Sequence, residues 1–279
     1  KNDSVRTDVE CSKLCSTLAD YFRDKIVKLK QTLQDRLAAI NPLPLHIDDP
    51  PYSGHLFDVI HPVSVDEVYH ILTNITCKSS PLDYVPTSLI KSCPTVFSEL
   101  IAYLANLSFS EGCFPSTLKH AIITPLLKKP DLDTTLPASY RPISNLNNIS
   151  KILERLFLSR FQPHIVGSTN FNPLQSAYRK SHSTETALLN TLDHIYTASD
   201  HSQPTVLVSL DLSAAFDTID HSTLLSRLQS SFGITGKSLH WIQSYLKGRT
   251  QCVALGLHQS PTTAVTTGVP QGSVLGPLL

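Results

Sequence analysis

Apolar residues recur at steps of three and four near the start of the chain, and this spacing predicts an amphipathic helix. They are Leu14, Leu18, Phe22, Ile26, Leu29, Leu33 and Leu37. Residues at this spacing share one helical face, which would pack against the rest of the protein. The proline-rich stretch 41–51 then predicts an extended linker. Ser64, with Glu67 three positions later, predicts a capping box at the start of a second helix.

The same kind of pattern predicts helices and strands along the rest of the chain. Helices are predicted at 95–110, 148–161, 184–196, 221–232 and 237–248, several of them stopped by a glycine. Strands are predicted at 120–127, 141–144, 206–212, 251–256 and 263–268. Because these elements do not alternate in a regular βαβ order, we expect an α+β fold.

The predicted strand at 206–212 contains a carboxylate at its end. Its sequence, VLVSLDL, is a nearly continuous apolar run, which is typical of a strand covered on both faces. A buried carboxylate is costly unless a cation or donors satisfy it, so Asp211 could hold a divalent cation over a phosphate. An aspartate that caps the next turn would show the same local pattern. Asp217 and Asp220, three apart at a predicted helix start, fit a structural role at the helix dipole.

Two further segments could bind an anionic or nucleotide ligand. Lys128, Lys129 and Arg141 belong to two predicted strands that could pair as a hairpin and bring their cationic groups together, which would suit a triphosphate. A solvated surface hairpin would look the same. The segment GVPQGSVLGP at 268–277 flanks Gln271 with glycines, which let backbone approach a ligand closely. Such a composition is also common in simple turns.

Composition and charge narrow the class of protein. The hydrophobic content of 41% and the charged content of 16% suit a soluble globular chain. The net charge is zero, but residues 117–160 hold seven basic and three acidic side chains, a local charge of +4 that would suit a polyanion. The six cysteines are scattered and no signal peptide is evident, which favours a reducing, intracellular setting. No apolar run is long enough to cross a bilayer.

Six segments, taken in order, resemble the reverse transcriptase of LINE-type (non-LTR) retrotransposons. They are SSPLDYVPTSLIK, AIITPLLKKPD, YRPISNLNNISKILER, QSAYRKSHSTETAL, SLDLSAAFDTIDHSTLL and GVPQGSVLGPLL. The resemblance covers residues 61–279 and implies a right-handed polymerase with fingers and a partial palm. It divides the chain into a helical and proline-rich linker at 1–60, fingers and supporting helices at 61–204, and a partial palm at 205–279.

The resemblance also implies roles for residues of the partial palm. Asp211 would be the first catalytic carboxylate and, with the carbonyl of Leu212, a ligand of Mg²⁺. Phe216 would be the steric gate, packed where the 2′-hydroxyl of a ribonucleotide would clash. The backbone amides of Ala214, Ala215 and Phe216 would meet the triphosphate of the incoming nucleotide.

Other implied contacts come from the fingers and from the glutamine segment. Lys128 or Lys129, which the pattern does not separate, would hold the phosphates together with Arg141. Gln271 and Gly272 would contact the incoming nucleotide and the template. The partners implied are an RNA template, a DNA primer and dNTPs, with no membrane, no inferable protein partner and, by family analogy, a nuclear location.

The implied reaction is in-line attack of a primer 3′-hydroxyl on the α-phosphate, assisted by two Mg²⁺ ions. The other catalytic carboxylates of the family sit in a Tyr-x-Asp-Asp hairpin, and no such motif occurs in these residues. The chain also contains no Met and stops inside an apolar run, so we expect a fragment that is inactive alone. Alternatives are a non-catalytic, RNA-binding remnant of a truncated element and a nuclease that uses Asp211, Asp217 and Asp220.

Overall fold

A computed structural model describes residues 8–40, 52–76, 78–212 and 214–279, and the predicted linker at 41–51 lies outside these ranges. The helices in the described residues are α1 Asp8–Ile40, α2 Val65–Asn74, α3 Thr87–Ser92, α4 Pro94–Glu111, α5 Asn148–Val166, α6 Thr184–Asp200, α7 Ala215–Thr218, α8 His221–Phe232 and α9 Gly236–Leu246. The strands there are β1 His120–Leu127, β2 Tyr140–Asn145, β3 Arg249–Leu255, β4 His258–Gln259 and β5 Thr263–Val265. The predicted α+β class is confirmed.

The strands form one mixed sheet in the order β2-β1-β3-β4, with β5 also paired to β3. β1 and β2 are an antiparallel hairpin in which Leu126 faces Arg141, as the sequence predicts. β3 runs parallel to β1, and its other edge pairs antiparallel with β5 at one end and β4 at the other. The parallel contact joins strands that are more than a hundred residues apart, so helices α5 to α9 form the long connection between them.

The main core lies where α2, α4, α5, α8 and α9 meet. Trp241 of α9 is fully buried and stacks on Phe157 of α5, with ring centroids 4.1 Å apart. Tyr245 lies four residues later on the same helical face. Its ring is parallel to that of Trp241, with the ring centroids 5.9 Å apart. The Trp241 indole N–H donates to Ser108 Oγ at 2.9 Å, so its single polar group is satisfied inside the core.

Helix α1 packs on the sheet through a smaller apolar cluster. Cys15 and Leu18 are buried against Ile123 of β1 and Val253 of β3. The Cys15 thiol donates to the carbonyl of Val253 at 2.9 Å, which ties the helix to the central strand. The amphipathic helix predicted from leucine spacing is therefore confirmed. No helix in the described residues is both long enough and apolar enough to span a membrane.

The predicted capping box at α2 forms only in part. Ser64 Oγ accepts a hydrogen bond from the backbone amide of Glu67 at 3.1 Å. The Glu67 carboxylate, however, accepts hydrogen bonds from the two terminal guanidinium nitrogens of Arg160, each at 2.8 Å. Arg160 also donates to the carbonyls of His61 and Pro62 at 2.7 Å each. The Arg160 guanidinium therefore links the segment before α2 to α5. The Glu67 carboxylate pairs with Arg160 and does not complete the capping box.

This ion pair gives a pH-dependent contribution to stability. Hydrogen bonding to Arg160 holds the pKa of Glu67 below its usual value, so the contribution is present above the unfolded pKa and is lost as the pH falls through the folded pKa. We expect Glu67→Gln to lower the free energy of unfolding by about 1 kcal/mol at pH 7, because solvent screens a partly exposed pair. Urea unfolding at neutral pH and at about pH 3 measures this loss of unfolding free energy. Asp66→Asn, in the same helical turn, is the control. An equal loss at both pH values would contradict the assignment.

The predicted strand at 206–212 is wrong. These residues have no secondary structure, and Val206 and Leu210 are 86% and 88% exposed. A strand exists only when a neighbour supplies its hydrogen bonds. In the described residues every strand pairs within the β1–β5 sheet, and none pairs with this segment. The preceding helix α6 buries no residue either. The apolar run is therefore not a strand covered on both faces, because no described element covers it.

Candidate functional site

Residues 268–276, which we name the PQG loop, lie against α7 and the residues that follow it. The amide of Gly268 donates to the carbonyl of Ile219 at 2.8 Å, and the amide of Val269 donates to that of Phe216 at 2.7 Å. Gly268 has φ +79°, and a Cβ there would lie 2.6 Å from Phe216 O. Only glycine fits a left-handed backbone pressed so closely onto another segment.

The other side of the PQG loop lies against β2. The carbonyl of Gln271 accepts the amide of Ser144 at 2.8 Å. Gly272 has φ +122°, and a Cβ there would lie 2.8 Å from the carbonyl oxygen of Ser144. The glycines that flank Gln271 therefore serve close backbone packing in this structure. They fix Gln271, which is half-buried, between the hairpin and α7.

Phe216 and its neighbours form a short turn of helix beside the PQG loop. Ala214 adopts a left-handed conformation with φ +55° and starts α7, while Ala215 is exposed. The half-buried Phe216 ring meets Tyr178 edge-on, with centroids 6.5 Å apart. Ser213 lies outside the described residues. Ala214 to Phe216 and Gln271 thus lie in one neighbourhood through the Phe216–Val269 hydrogen bond.

The predicted cationic residues lie at the loop end of the β1–β2 hairpin. Lys128 follows β1 directly, its amide donates to the carbonyl of Ser139 at 2.9 Å, and its ammonium donates to that of Ala138 at 2.8 Å. Arg141 is the second residue of β2 and is exposed, as are Lys128 and Lys129. The same hairpin carries Ser144, whose amide binds the carbonyl of Gln271. The hairpin therefore connects these cations to Gln271.

A cavity of about 150 Å³ opens between α1, the sheet and the PQG loop. Its lining includes Lys25 of α1, Ser144, Asp217 and Gln271. Burial raises the pKa of the Asp217 carboxyl, and the charge of Lys25 acts against this rise. Asp217 lies in the first turn of α7, at a helix start as the sequence predicts, and its half-buried side chain also lines the cavity. Asp220 does have its predicted structural role, because it caps α8 by accepting the amide of Thr223 at 2.9 Å.

Asp211 does not lie at a buried strand end as the sequence predicts. Asp211 and Leu212 are exposed, in the uncovered segment described above. In the described ranges, no group of three or more His, Cys, Asp or Glu side chains is arranged to hold a metal ion. The three aspartates of the nuclease hypothesis therefore do not converge into a metal site. The expected cost of burying Asp211 does not arise, because its surroundings leave it in water.

The basic stretch 117–160 is less available to a ligand than its charge indicates. The Lys119 ammonium donates to the carbonyl of Lys247 at 3.2 Å, and burial lowers its pKa. Arg160 is held by Glu67. The exposed cations of the stretch are Lys128, Lys129, Arg141 and Arg155. Three of these four belong to the hairpin, so the accessible positive charge is concentrated there.

One buried acid was missed by the sequence analysis. Glu154 lies on the apolar face of α5 and is fully buried, and its Oε2 accepts the amides of Val274 and Leu275 at 2.7 and 3.1 Å. A glutamate between two buried leucine-type positions of a helix was the only available signal, since acids are rarely buried without partners. The partners themselves come from the PQG loop, 120 residues away in sequence.

Comparisons with known proteins agree with the order of motifs. Residues 127–279 match the model of the family described as reverse transcriptase (RNA-dependent DNA polymerase). That match spans more than half of the chain and includes the hairpin cations, α7 and the PQG loop.

Several curated relatives are similar over most of the chain. The probable RNA-directed DNA polymerase from transposon BS of Drosophila melanogaster is 32% identical over 221 residues, which are 79% of this chain and 24% of that protein. The probable RNA-directed DNA polymerase from transposon X-element of the same species is 31% identical over 280 aligned residues, 98% of this chain and 29% of that protein. The chain thus spans about a quarter of the length of such relatives.

Proposed function

The chain belongs to the reverse transcriptase family, and from that premise we propose that it is the fingers and partial-palm portion of a retrotransposon RNA-directed DNA polymerase. Its relatives include enzymes of non-LTR elements. The substrates proposed for the whole enzyme are an RNA template, a DNA primer and dNTPs. The reaction is nucleotidyl transfer onto the primer 3′-hydroxyl, and the proposed location is the nucleus.

One observation carries this proposal: three separate motifs meet through backbone hydrogen bonds. Val269 binds Phe216, and Gln271 binds Ser144 of the hairpin that carries Lys128 and Arg141. Backbone contacts of this kind fix the relative positions of the three motifs without using their side chains. A shared neighbourhood of cationic, amide and aromatic groups suits a nucleotide, because it offers charge to phosphates and an apolar edge to the sugar.

The roles proposed for single residues follow from their chemistry. Lys128 and Arg141 bind the triphosphate, Lys128 as a point charge and Arg141 as a planar fork. The amides at Ala214, Ala215 and Phe216 face the same phosphates, and the Phe216 ring excludes a ribonucleotide 2′-hydroxyl. Gln271 and Gly272 meet the nucleotide and the template.

The proposed Mg²⁺ site is not complete in the described residues. Asp211 and the Leu212 carbonyl offer hard oxygen ligands of the type that Mg²⁺ prefers, but one carboxylate does not make a two-metal site and no cluster of acidic ligands lies in the described ranges. Asp211 is proposed to supply one carboxylate, and these 279 residues are proposed to be inactive without further ligands.

The function is tested by binding first and synthesis second. The chain is titrated with an RNA-template–DNA-primer duplex across a range of salt, and then with dATP in the presence of that duplex. Primer extension with Mg²⁺ is assayed in parallel. Salt-dependent duplex binding with saturable dATP binding and no extension supports the proposal. Duplex binding without any dATP binding favours the non-catalytic RNA-binding remnant, and extension that Asp211→Ala abolishes would overturn the proposed inactivity.

The hairpin cations give this test a specific prediction. We expect the double variant Lys128→Ala/Arg141→Ala to raise the dATP dissociation constant about tenfold or more, since each charge-assisted contact contributes on the order of 1 kcal/mol. Arg155→Ala is the matched control, because it removes an exposed cation of the same basic stretch outside the hairpin. An equal effect of the control and the double variant would argue for general charge attraction instead of a phosphate site.

A further inference from the structure

Glu154 is a fully buried acid next to the neighbourhood described above, and its carboxylate accepts hydrogen bonds from four groups of the described residues. It extends from α5, where Ile152, Leu153 and Leu156 are buried around it. Ser150 Oγ donates to its Oε1 at 3.2 Å. Its Oε2 accepts three donors, which are the amides of Val274 and Leu275 and the hydroxyl of Tyr245 at 3.3 Å.

The two amides belong to the PQG loop, and they begin three residues after Gln271. Between these points the loop is a tight turn, because Ser273 N donates to the carbonyl of Pro270 at 3.0 Å and Gly276 N donates to Ser273 Oγ at 3.0 Å. The loop is thus fastened at Gln271 by the β2 amide of Ser144 and after Gln271 by Glu154. Removing the Glu154 anchor would leave the residues after Gln271 without these two amide hydrogen bonds, while the loop stays attached at Gly268, Val269 and Gln271.

A nearby positive charge offsets part of the cost of burying Glu154 in the core. The guanidinium of Arg249 lies 4.3 Å from the centroid of the Tyr245 ring, whose hydroxyl reaches Glu154. Burial raises the pKa of Glu154, while the Arg249 charge and the loop amides act in the opposite direction. A buried carboxylate with this many donors is costly to leave unpaired, so the loop and the acid hold each other in place.

We propose that Glu154 is the positioning residue of the PQG loop, and that it sets the orientation in which Gln271 meets the nucleotide. It acts through the Val274 and Leu275 amides and does not itself touch a substrate. This inference rests on the proposed function for its effect on the nucleotide, but its effect on the loop is independent of that function.

The variants are chosen to separate acceptance of the loop amides from core packing. Glu154→Leu fills the same space and removes the acceptor. Glu154→Gln keeps a carbonyl oxygen for Val274 and Leu275, and Ser150 can then accept from the new amide group. Leu153→Ala is the matched control, because it opens the core at the adjacent position of the same helix and keeps the Glu154 carboxylate that accepts the loop amides.

Two measurements are made on the folded chain, at a temperature below the unfolding transition of the least stable variant. Amide hydrogen exchange at Val274 and Leu275 is expected to be about tenfold faster in Glu154→Leu and within about threefold of the parent chain in Glu154→Gln and Leu153→Ala. The dATP dissociation constant, measured with the template–primer duplex, is expected to rise about tenfold in Glu154→Leu only. The affinity for the duplex itself is expected to change little.

The outcomes distinguish the inference from the function on which it rests. A parent chain that binds no dATP counts against the proposed function, and amide exchange then decides the inference alone. Unchanged exchange at Val274 and Leu275 in Glu154→Leu would overturn the positioning role. A Gln variant as defective as the Leu variant would show that the negative charge, and not the acceptor oxygen, is what matters. A Leu153→Ala variant with the same loss of dATP affinity would reduce the effect to general core packing.

Discussion

Gly268→Ala is expected to lower the free energy of unfolding by about 3 kcal/mol or more, because two costs add at this position. The backbone is left-handed, with φ +79°, and the new Cβ would lie 2.6 Å from Phe216 O and 2.7 Å from Asp217 Cα. Both are backbone atoms and cannot move aside. Relief of the clash must separate the PQG loop from α7 and break the hydrogen bonds from Gly268 to Ile219 and from Val269 to Phe216.

The matched control for this variant is Gly256→Ala. Gly256 also has a left-handed backbone, with φ +61°, but a Cβ there would meet nothing within 4 Å. We expect it to cost about 1 kcal/mol, the conformational part alone. Urea unfolding followed by circular dichroism gives both values. If the two variants lost the same stability, the close contact between the PQG loop and α7 would not exist in solution.

Trp241→Ala is expected to have the largest effect on the fold, about 3–5 kcal/mol. The indole is fully buried, stacks on Phe157 at 4.1 Å, and occupies the centre of the contact between α4, α5 and α9. The truncation also leaves Ser108 Oγ without its indole donor. At typical domain stabilities of roughly 5–15 kcal/mol, this loss would remove a large share of the total.

The measurement for Trp241→Ala is again urea unfolding by circular dichroism, because the chain contains only one Trp and the variant has no tryptophan signal. Tyr103→Ala is the control, since Tyr103 lies on α4 but is 71% exposed. We expect that control to change stability by less than about 0.5 kcal/mol. A loss below about 1 kcal/mol for Trp241→Ala would contradict a main core centred on this residue.

Elements with local signals were predictable from the sequence. Leucine spacing predicts α1, which the structure extends to Asp8–Ile40, and the glycine stop at Gly112 predicts the end of α4. The β1–β2 hairpin follows from two predicted strands that are close in sequence. In each of these cases, residues within one segment or its neighbour determine the structure.

Features that depend on distant partners were not predictable in the same way. Residues 206–212 have an apolar pattern typical of a covered strand, but coverage requires another element, and the structure leaves Asp211 in solvent. Glu67 pairs with Arg160 and does not cap its own helix, and Glu154 accepts a hydrogen bond from a backbone amide 120 residues away. The family was assigned correctly from the order of the six motifs along the chain. That order does not depend on the environment of any one residue, so the wrong prediction for Asp211 did not affect it.

The central claim is that the hairpin cations, α7 and the PQG loop form one nucleotide-binding neighbourhood. The most direct test is photocrosslinking of 8-azido-dATP to the chain in the presence of an RNA-template–DNA-primer duplex, with the modified peptides mapped by mass spectrometry. We predict labelling confined to residues 126–144, 214–219 and 268–276, and its suppression by unlabelled dATP. Labelling that falls elsewhere, for example on α4 or α8, or that excess dATP does not reduce, would contradict the account.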